Sequence, residues 1–363
     1  MKKFNSRDLP RREFLLAGAA AAALATPSLS RAGTRIRLTF ATGFAPVLPW
    51  VKEATETFLP TVEKTLADLG GEYSIEWTTA LSGSLARPNE MLAATRDGLC
   101  EVALIAPIFE PTALPLDNIG FVTPFSVPDH RVAVDVINAL HRDFAPMTES
   151  WQRQGLVHLG SLSNERYAWF TNFPWSNFEE LASRKIAGAG MALPWIGATQ
   201  STAVATNFAT AYNDMSSGLF DGIQGFPSAL APSRFYEIAP HVKKMRLGAV
   251  STLSFAANRS AFISLPGPVQ QALIAAGQAS VEAYKTRVDV IEAASYAAFE
   301  NNGAIITEMS DDQSAAWAKA LPPLSANWAE SVSARGIDAK AALRFFMDFL
   351  AQRDVTPLRD WSL

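Results

Sequence analysis

The chain has 363 residues, 48% hydrophobic and 18% charged, with a formal net charge of −4. That length suits about two or three domains, and that composition excludes wholesale disorder. The acidic balance argues against nucleic acid as a partner, and a single cysteine, Cys100, excludes a disulfide framework and a Cys-rich metal site.

Residues 1–32 read as an export signal. Lys2, Lys3, Arg7, Arg11 and Arg12 make a basic start, and Phe14 to Ala25 an apolar run too short to span a bilayer. Small residues end at Ser30-Arg31-Ala32, which places cleavage after Ala32. Arg11-Arg12 followed by Glu13-Phe14-Leu15 resembles a twin-arginine signal; an ordinary basic n-region is the alternative. Either reading sends the mature chain to the periplasm, and no cysteine is present in the signal for a lipid anchor. The signal takes six of 31 basic residues and two of 35 acidic ones, so the mature charge is −8. No later segment has about 18 apolar residues without charge, so no membrane insertion of the mature chain is expected.

Along the mature chain, Ile36, Leu38 and Phe40 alternate in a strand over 34–42. A loop with Phe44, Pro46, Pro49 and Trp50 precedes a helix over 52–69. A strand over 73–79, a short helix over 88–98 and an apolar strand over 101–106 follow. This order predicts a parallel α/β sheet. The pattern restarts with strands over 156–162 and 167–171. Ser176-Asn177-Phe178-Glu179 fits a capping box opening a short helix. Strands over 185–189 and 221–226 flank a helix within 201–215. Residues 250–264 are β-rich. Residues 269–302 hold no proline and one internal glycine, Gly277, and run between Pro268 and Gly303. Such a helix spans roughly 50 Å, more than one small α/β lobe, so it can brace two. A strand over 303–309 leads to helices over 311–354, broken at Pro322-Pro323 and Gly336.

Catalytic and metal motifs are missing. His130, His141, His158 and His241 have no i, i+4 ligand spacing, and there is no nucleophile elbow or phosphate loop. Gly188-Ala189-Gly190 lacks the third glycine of a dinucleotide site, so no cofactor is expected. Cys100 beside an apolar strand reads as a buried free thiol. What remains is an aromatic and amide set with one basic member: Arg166, Tyr167, Trp195, Asn207, Phe208, Gln224 and Phe226, with Phe44 and Trp50 from the first loop. Together these suit a cleft that stacks on a small organic acid and pairs with its carboxylate.

Four segments carry a resemblance to a known family. They are Asp97-Gly98-Leu99-Cys100-Glu101-Val102-Ala103, Val122-Thr123-Pro124-Phe125, the run Phe178 to Ile186, and Ala211-Tyr212-Asn213-Asp214 through Gly218-Leu219-Phe220-Asp221-Gly222. In this order, with an export signal and a long bracing helix, they resemble the solute-binding proteins of TRAP (tripartite ATP-independent periplasmic) transporters. The resemblance implies a two-lobed, periplasmic-binding-protein-like α/β fold with a long helix spanning both lobes. It implies lobe I over 33–163 plus 250–290 and lobe II over 164–249 plus 291–363. It further implies no catalysis, and delivery of the solute to a membrane permease of two subunits.

This sequence departs from the family where the ligand would sit. The position of the family's carboxylate-gripping arginine after Lys-Ile is Ala187, and that of its asparagine after Asp-Gly is Gly225. A second arginine position falls at Tyr167, with Arg166 beside it; strand neighbours face opposite ways, so one of the two enters the cleft. Each change removes charge or hydrogen-bonding capacity, which points to an aromatic or branched monocarboxylate. A folded periplasmic enzyme and a ligand-presenting sensor module are the alternative functions.

Overall fold

The computed structural model describes residues 33–363, so the export signal expected over 1–32 lies outside the described residues. In chain order the strands are β1 Thr34–Ala41, β2 Tyr73–Ala80, β3 Val102–Ile105, β4 Leu156–Ser163, β5 Ala168–Thr171, β6 Lys185–Gly188, β7 Thr202–Ala205, β8 Gly222–Gly225, β9 His241–Lys244, β10 Ser251–Asn258 and β11 Ile305–Glu308. The helices are α1 Pro49–Glu53, α2 Leu59–Asp68, α3 Met91–Arg96, α4 Ile119–Val122, α5 His130–Asp143, α6 Ala145–Arg153, α7 Leu193–Gly197, α8 Ala211–Ser216, α9 Pro227–Leu230, α10 Arg259–Ser264, α11 Gly267–Asn301, α12 Asp311–Ala320, α13 Leu324–Ser333 and α14 Ala339–Ala351.

Two sheets result, ordered β2-β1-β3-β10-β4 and β11-β9-β5-β8-β6-β7. The parallel pairing expected from the strand–helix rhythm holds for β1 with β2 and β3, and for β8, β6 and β7. β10 runs antiparallel to both its neighbours, and so does β5. These two are the strands that arrive from the other sheet, over 245–250 and 164–167. A strand entering that way needs no βαβ crossover, so nothing holds it parallel.

The third connection is α11, whose 35 residues reach roughly 50 Å. Its first half packs on α2 and β4 and its second half on α9 and β11. Phe299 near its end enters the second core beside Phe170, ring centroids 4.9 Å apart. No side chain separates α11 from β4 at their closest approach. A Cβ on Gly277 would stand 2.1 Å from the Leu159 carbonyl oxygen, and one on Gly160 would stand 3.1 Å from the Gly277 oxygen.

Three local features differ from the expectations. The helix expected within 201–215 is α8, but the same segment opens with an unexpected edge strand, β7. The turn at 178–181 is capped by Asn177, whose Oδ1 accepts from the Glu180 N–H at 3.2 Å, rather than by Ser176. The C-terminal helices do not all join the second lobe. Trp328, Leu343 and Phe346 of α13 and α14 pack into the core around Ile137 and Leu140 of α5. α14 is strongly two-sided, and α5 offers the matching apolar face in the first lobe.

The Gly277 contact yields a prediction. Alanine is favoured over glycine in a helix by about 1 kcal/mol, but its methyl would strike backbone here. Gly277→Ala therefore lowers stability, by about 1–3 kcal/mol as overpacking does, read as a drop in Tm in thermal denaturation. An unchanged or raised Tm would contradict the close approach.

Candidate functional site

The aromatic loop after β1 and the strand ends of the second sheet meet across a narrow cavity. From the first lobe come Phe44, Trp50, Ala106, Ile108, Phe109 and Leu253. The crossing supplies Asn164 and Tyr167. The second lobe adds Gly188, Ala189, Thr206, Asn207, Phe208, Ile223, Gln224 and Phe226. Pro49 at the start of α1 sets the turn that aims Trp50 inward. Trp50 sits edge-on to Phe44 at 5.7 Å and to Phe226 at 6.5 Å, and lies 6.2 Å from Phe208. Tyr167 lies over Phe226 at 4.3 Å.

The polar groups of the lining are few, and those buried without a partner are donors. Gln224 Oε1 accepts from the Trp169 indole N–H at 3.0 Å. Because that indole can only donate, the amide orientation is settled, and its Nε2 is left buried with no partner among the described residues. Trp50 Nε1 is likewise buried and unpaired. Burial alone pushes the Tyr167 phenol far above its ordinary range, so it stays a neutral hydroxyl. The asparagine oxygens each hold a donor: Asn164 Oδ1 takes the Tyr284 hydroxyl at 2.7 Å, and Asn207 Oδ1 takes the Ala209 N–H at 2.9 Å.

Of the nine residues singled out in the sequence, seven line this cavity: Phe44, Trp50, Tyr167, Asn207, Phe208, Gln224 and Phe226. Trp195 stands behind it, edge-on to Tyr167 at 5.6 Å, with its indole donating to the Phe121 carbonyl at 2.8 Å. Arg166 is exposed and borders a different groove, beside Arg246, Ser126 and Asp354. Both neighbours lie in the crossing ahead of β5 rather than within a strand, and there Tyr167 faces in and Arg166 faces out. Ala187 is fully buried beside Ile223 and brings no charge. At Gly225 any Cβ would stand 3.1 Å from the Phe208 ring, so the absence of a side chain lets that ring cover the strand.

Ile108, Phe109, Thr206 and Asn164 were not anticipated. The first two follow Pro107 in a single 3₁₀ turn, and Asn164 lies in the crossing itself. A proline directly after apolar β3 was the available signal for the first pair.

The histidines form no metal site. His141 and His158 stack at 3.4 Å, and His141 Nε2 lies 3.0 Å from Asp117. Burial pushes His141 down to about 3 and Asp117 up to about 7. No group of three potential ligands is assembled among the described residues.

The sequence pattern of bacterial extracellular solute-binding protein family 7 matches residues 40–331. The chain belongs to that family. It is a TRAP-type solute-binding protein, and the family comprises binding proteins rather than enzymes. No curated protein matches the chain. Among solved structures, a marine metagenome TRAP solute-binding protein specific for aromatic acid ligands, in complex with 3-hydroxybenzoate, superposes with a TM-score of 0.77 at 17% identity. That match covers 89% of this chain and 100% of the other. A Bordetella bronchiseptica TRAP protein with bound (R)- and (S)-mandelate gives 0.74 at 22% identity, covering 88% and 100%. DctP6 of Bordetella pertussis, a receptor binding pyroglutamic acid, gives 0.76 at 16%, covering 87% and 100%. At these identities the likeness establishes the fold.

In this TRAP-type protein no helix among the described residues is long and apolar enough to cross a membrane. The crossing also holds a buried carboxyl. Glu165 is buried, its Oε1 accepts from the Ser228 N–H at 2.8 Å, and its Oε2 is unpaired. Burial raises its carboxyl to about 7. A folded pKa above the unfolded one means stability that is full below the unfolded value, about 4.5, and is lost as pH rises through about 7. Glu165→Gln keeps the neutral shape at every pH. Thermal denaturation of both proteins should show the variant gaining Tm relative to wild type between pH 5 and pH 8. A constant difference would mean that Glu165 is not buried in its acid form.

Proposed function

We propose that the protein is a periplasmic receptor that captures a small aromatic or branched-chain monocarboxylate between its lobes and delivers it to a TRAP permease. One observation carries the reading: a cavity walled by aromatic rings from both lobes, whose unpaired polar capacity is a set of hydrogen-bond donors. Rings from two lobes can grip a flat or branched apolar body from both sides, and donors at one end fix an oxygen-bearing group.

Delivery follows from the same geometry. A solute that touches Trp50 and Phe44 on one side and Phe208 and Gln224 on the other binds the closed state better than the open one. The closed, loaded form then differs from the empty one in the surface it shows a permease. The aromatic acids, mandelate and pyroglutamate named for the structural relatives are small carboxylic acids, which fits this class.

The test is a thermal-shift panel on the mature chain from residue 33. Benzoate, mandelate or isovalerate at a hundred times its dissociation constant adds about 2.7 kcal/mol of stability. Phe208→Ala, which removes a ring from the wall, weakens that binding roughly thirtyfold, about 2 kcal/mol. Stabilisation restricted to succinate-like diacids or sugar acids would refute the ligand class. Loss of uptake in a deletion strain checks the transport role against a sensing one.

A further inference from the structure

The donors in the cavity are all neutral, and this bears on what they recognise. None of the described lining residues is Lys, Arg or His. The donors without partners are the Gln224 amide, the Trp50 indole and, with no hydrogen bond to the described residues, the Tyr167 hydroxyl. Each side-chain amide oxygen of the lining already takes a donor: Asn164 the Tyr284 hydroxyl, Asn207 the Ala209 N–H and Gln224 the Trp169 indole. The site therefore asks for an oxygen that accepts and supplies nothing that balances a charge.

The surroundings do not supply it either. Arg166 faces another groove. The buried ionisable residues nearest along the chain are Glu165, which follows Asn164, and Glu53, one helical turn from Trp50 and paired with Arg287 at 2.7 Å; neither lines the cavity. Both are buried, and each has one carboxylate oxygen without a partner. An anion placed in the cavity loses its water and meets no cation among the described lining residues. A ketone or similar carbonyl gives up far less hydration and satisfies the same donors.

We infer that the cavity recognises its solute through an uncharged carbonyl acceptor rather than through a negative charge, so that neutral carbonyl compounds of the right shape are ligands and bind at least as tightly as the matching carboxylates. This rests on the reading of the cavity as the solute site and sharpens its chemistry. The position where the family resemblance puts a guanidinium is Ala187, an uncharged core residue directly before Gly188 of the cavity wall. With no cation there, selectivity for the anion is lost while the apolar grip remains.

Matched pairs test it, because a methyl ketone replaces a carboxylate with little change of shape. Calorimetry at pH 7.5 compares acetophenone with benzoate, phenylacetone with phenylacetate, and methyl isobutyl ketone with isovalerate. The ketone of the best-bound pair is expected to bind about tenfold more tightly than its acid. Trp50→Phe, which keeps a ring but removes the N–H, is expected to weaken the ketone about tenfold. A carboxylate that binds more tightly than its ketone overturns the inference and leaves the solute-binding reading of the cavity standing. If no member of any pair binds, or if choline-like cations bind instead, both fail.

Discussion

The hydroxyl of Tyr284 donates to Asn164 Oδ1 at 2.7 Å, and both residues are buried. Tyr284 lies in the middle of the helix that touches both lobes, and Asn164 opens the crossing from the first sheet to the second. Asn164 also lines the cavity. A buried hydrogen bond contributes about 1 kcal/mol net, but losing one partner leaves an unpaired polar group that costs more. The bond therefore ties the crossing to the helix, an element that spans the molecule, at a residue that lines the cavity. Arg287 one turn further on reaches Glu53 at 2.7 Å, so the same stretch of helix is also pinned to α1, which carries Trp50.

The aromatic contacts across the cavity depend on that arrangement. Trp50 comes from the first lobe and meets Phe208 and Phe226 of the second. These rings can touch only with the lobes together. Closing them without a solute buries the Trp50 N–H and the Gln224 amide with no acceptor. The empty closed form thus gains ring contacts and loses hydration of two donors. A solute with an acceptor oxygen reverses the second effect while extending the first, which is the differential affinity that closure requires.

The sequence already showed much of this, for reasons that can be named. The long helix was legible because proline is absent over 269–302 and Pro266, Pro268 and Gly303 bracket it. That only one of Arg166 and Tyr167 would face the cleft was legible, but not which, because both lie in the crossing just ahead of β5. β7 was not legible: Thr202–Ala205 has small, weakly apolar residues at an exposed edge, and its partner strand β6 makes it a strand. The placement of α13 and α14 was not legible either, because an amphipathic helix tells which face is buried but not against what. Trp195 was singled out for an aromatic role and has one, supporting Tyr167 from behind rather than facing the cavity. Its neighbours in sequence carry no sign of the Phe121 carbonyl, 74 residues away, that fixes its ring.

That kind of contact recurs, and it answers how an exported chain with one buried thiol holds together. The Trp317 indole donates to the Trp195 carbonyl at 2.9 Å, and Trp195 donates to Phe121. Trp361 reaches the Pro124 carbonyl at 2.7 Å and Trp328 the Pro115 carbonyl at 3.2 Å. Each joins elements far apart in sequence, and the first two form a relay from α12 through α7 to α4, from one lobe to the other. An indole is suited to this, since one side chain buries a large apolar area and ends in a single donor that needs an acceptor. Unlike a disulfide, such a link can open and re-form, which a hinge requires. Against that background the unpaired indole of Trp50 is informative. Trp77 shares the condition away from the cavity, but Trp50 lies in the cavity wall among rings from both lobes, where an incoming acceptor would complete the bond that the other indoles make within the chain.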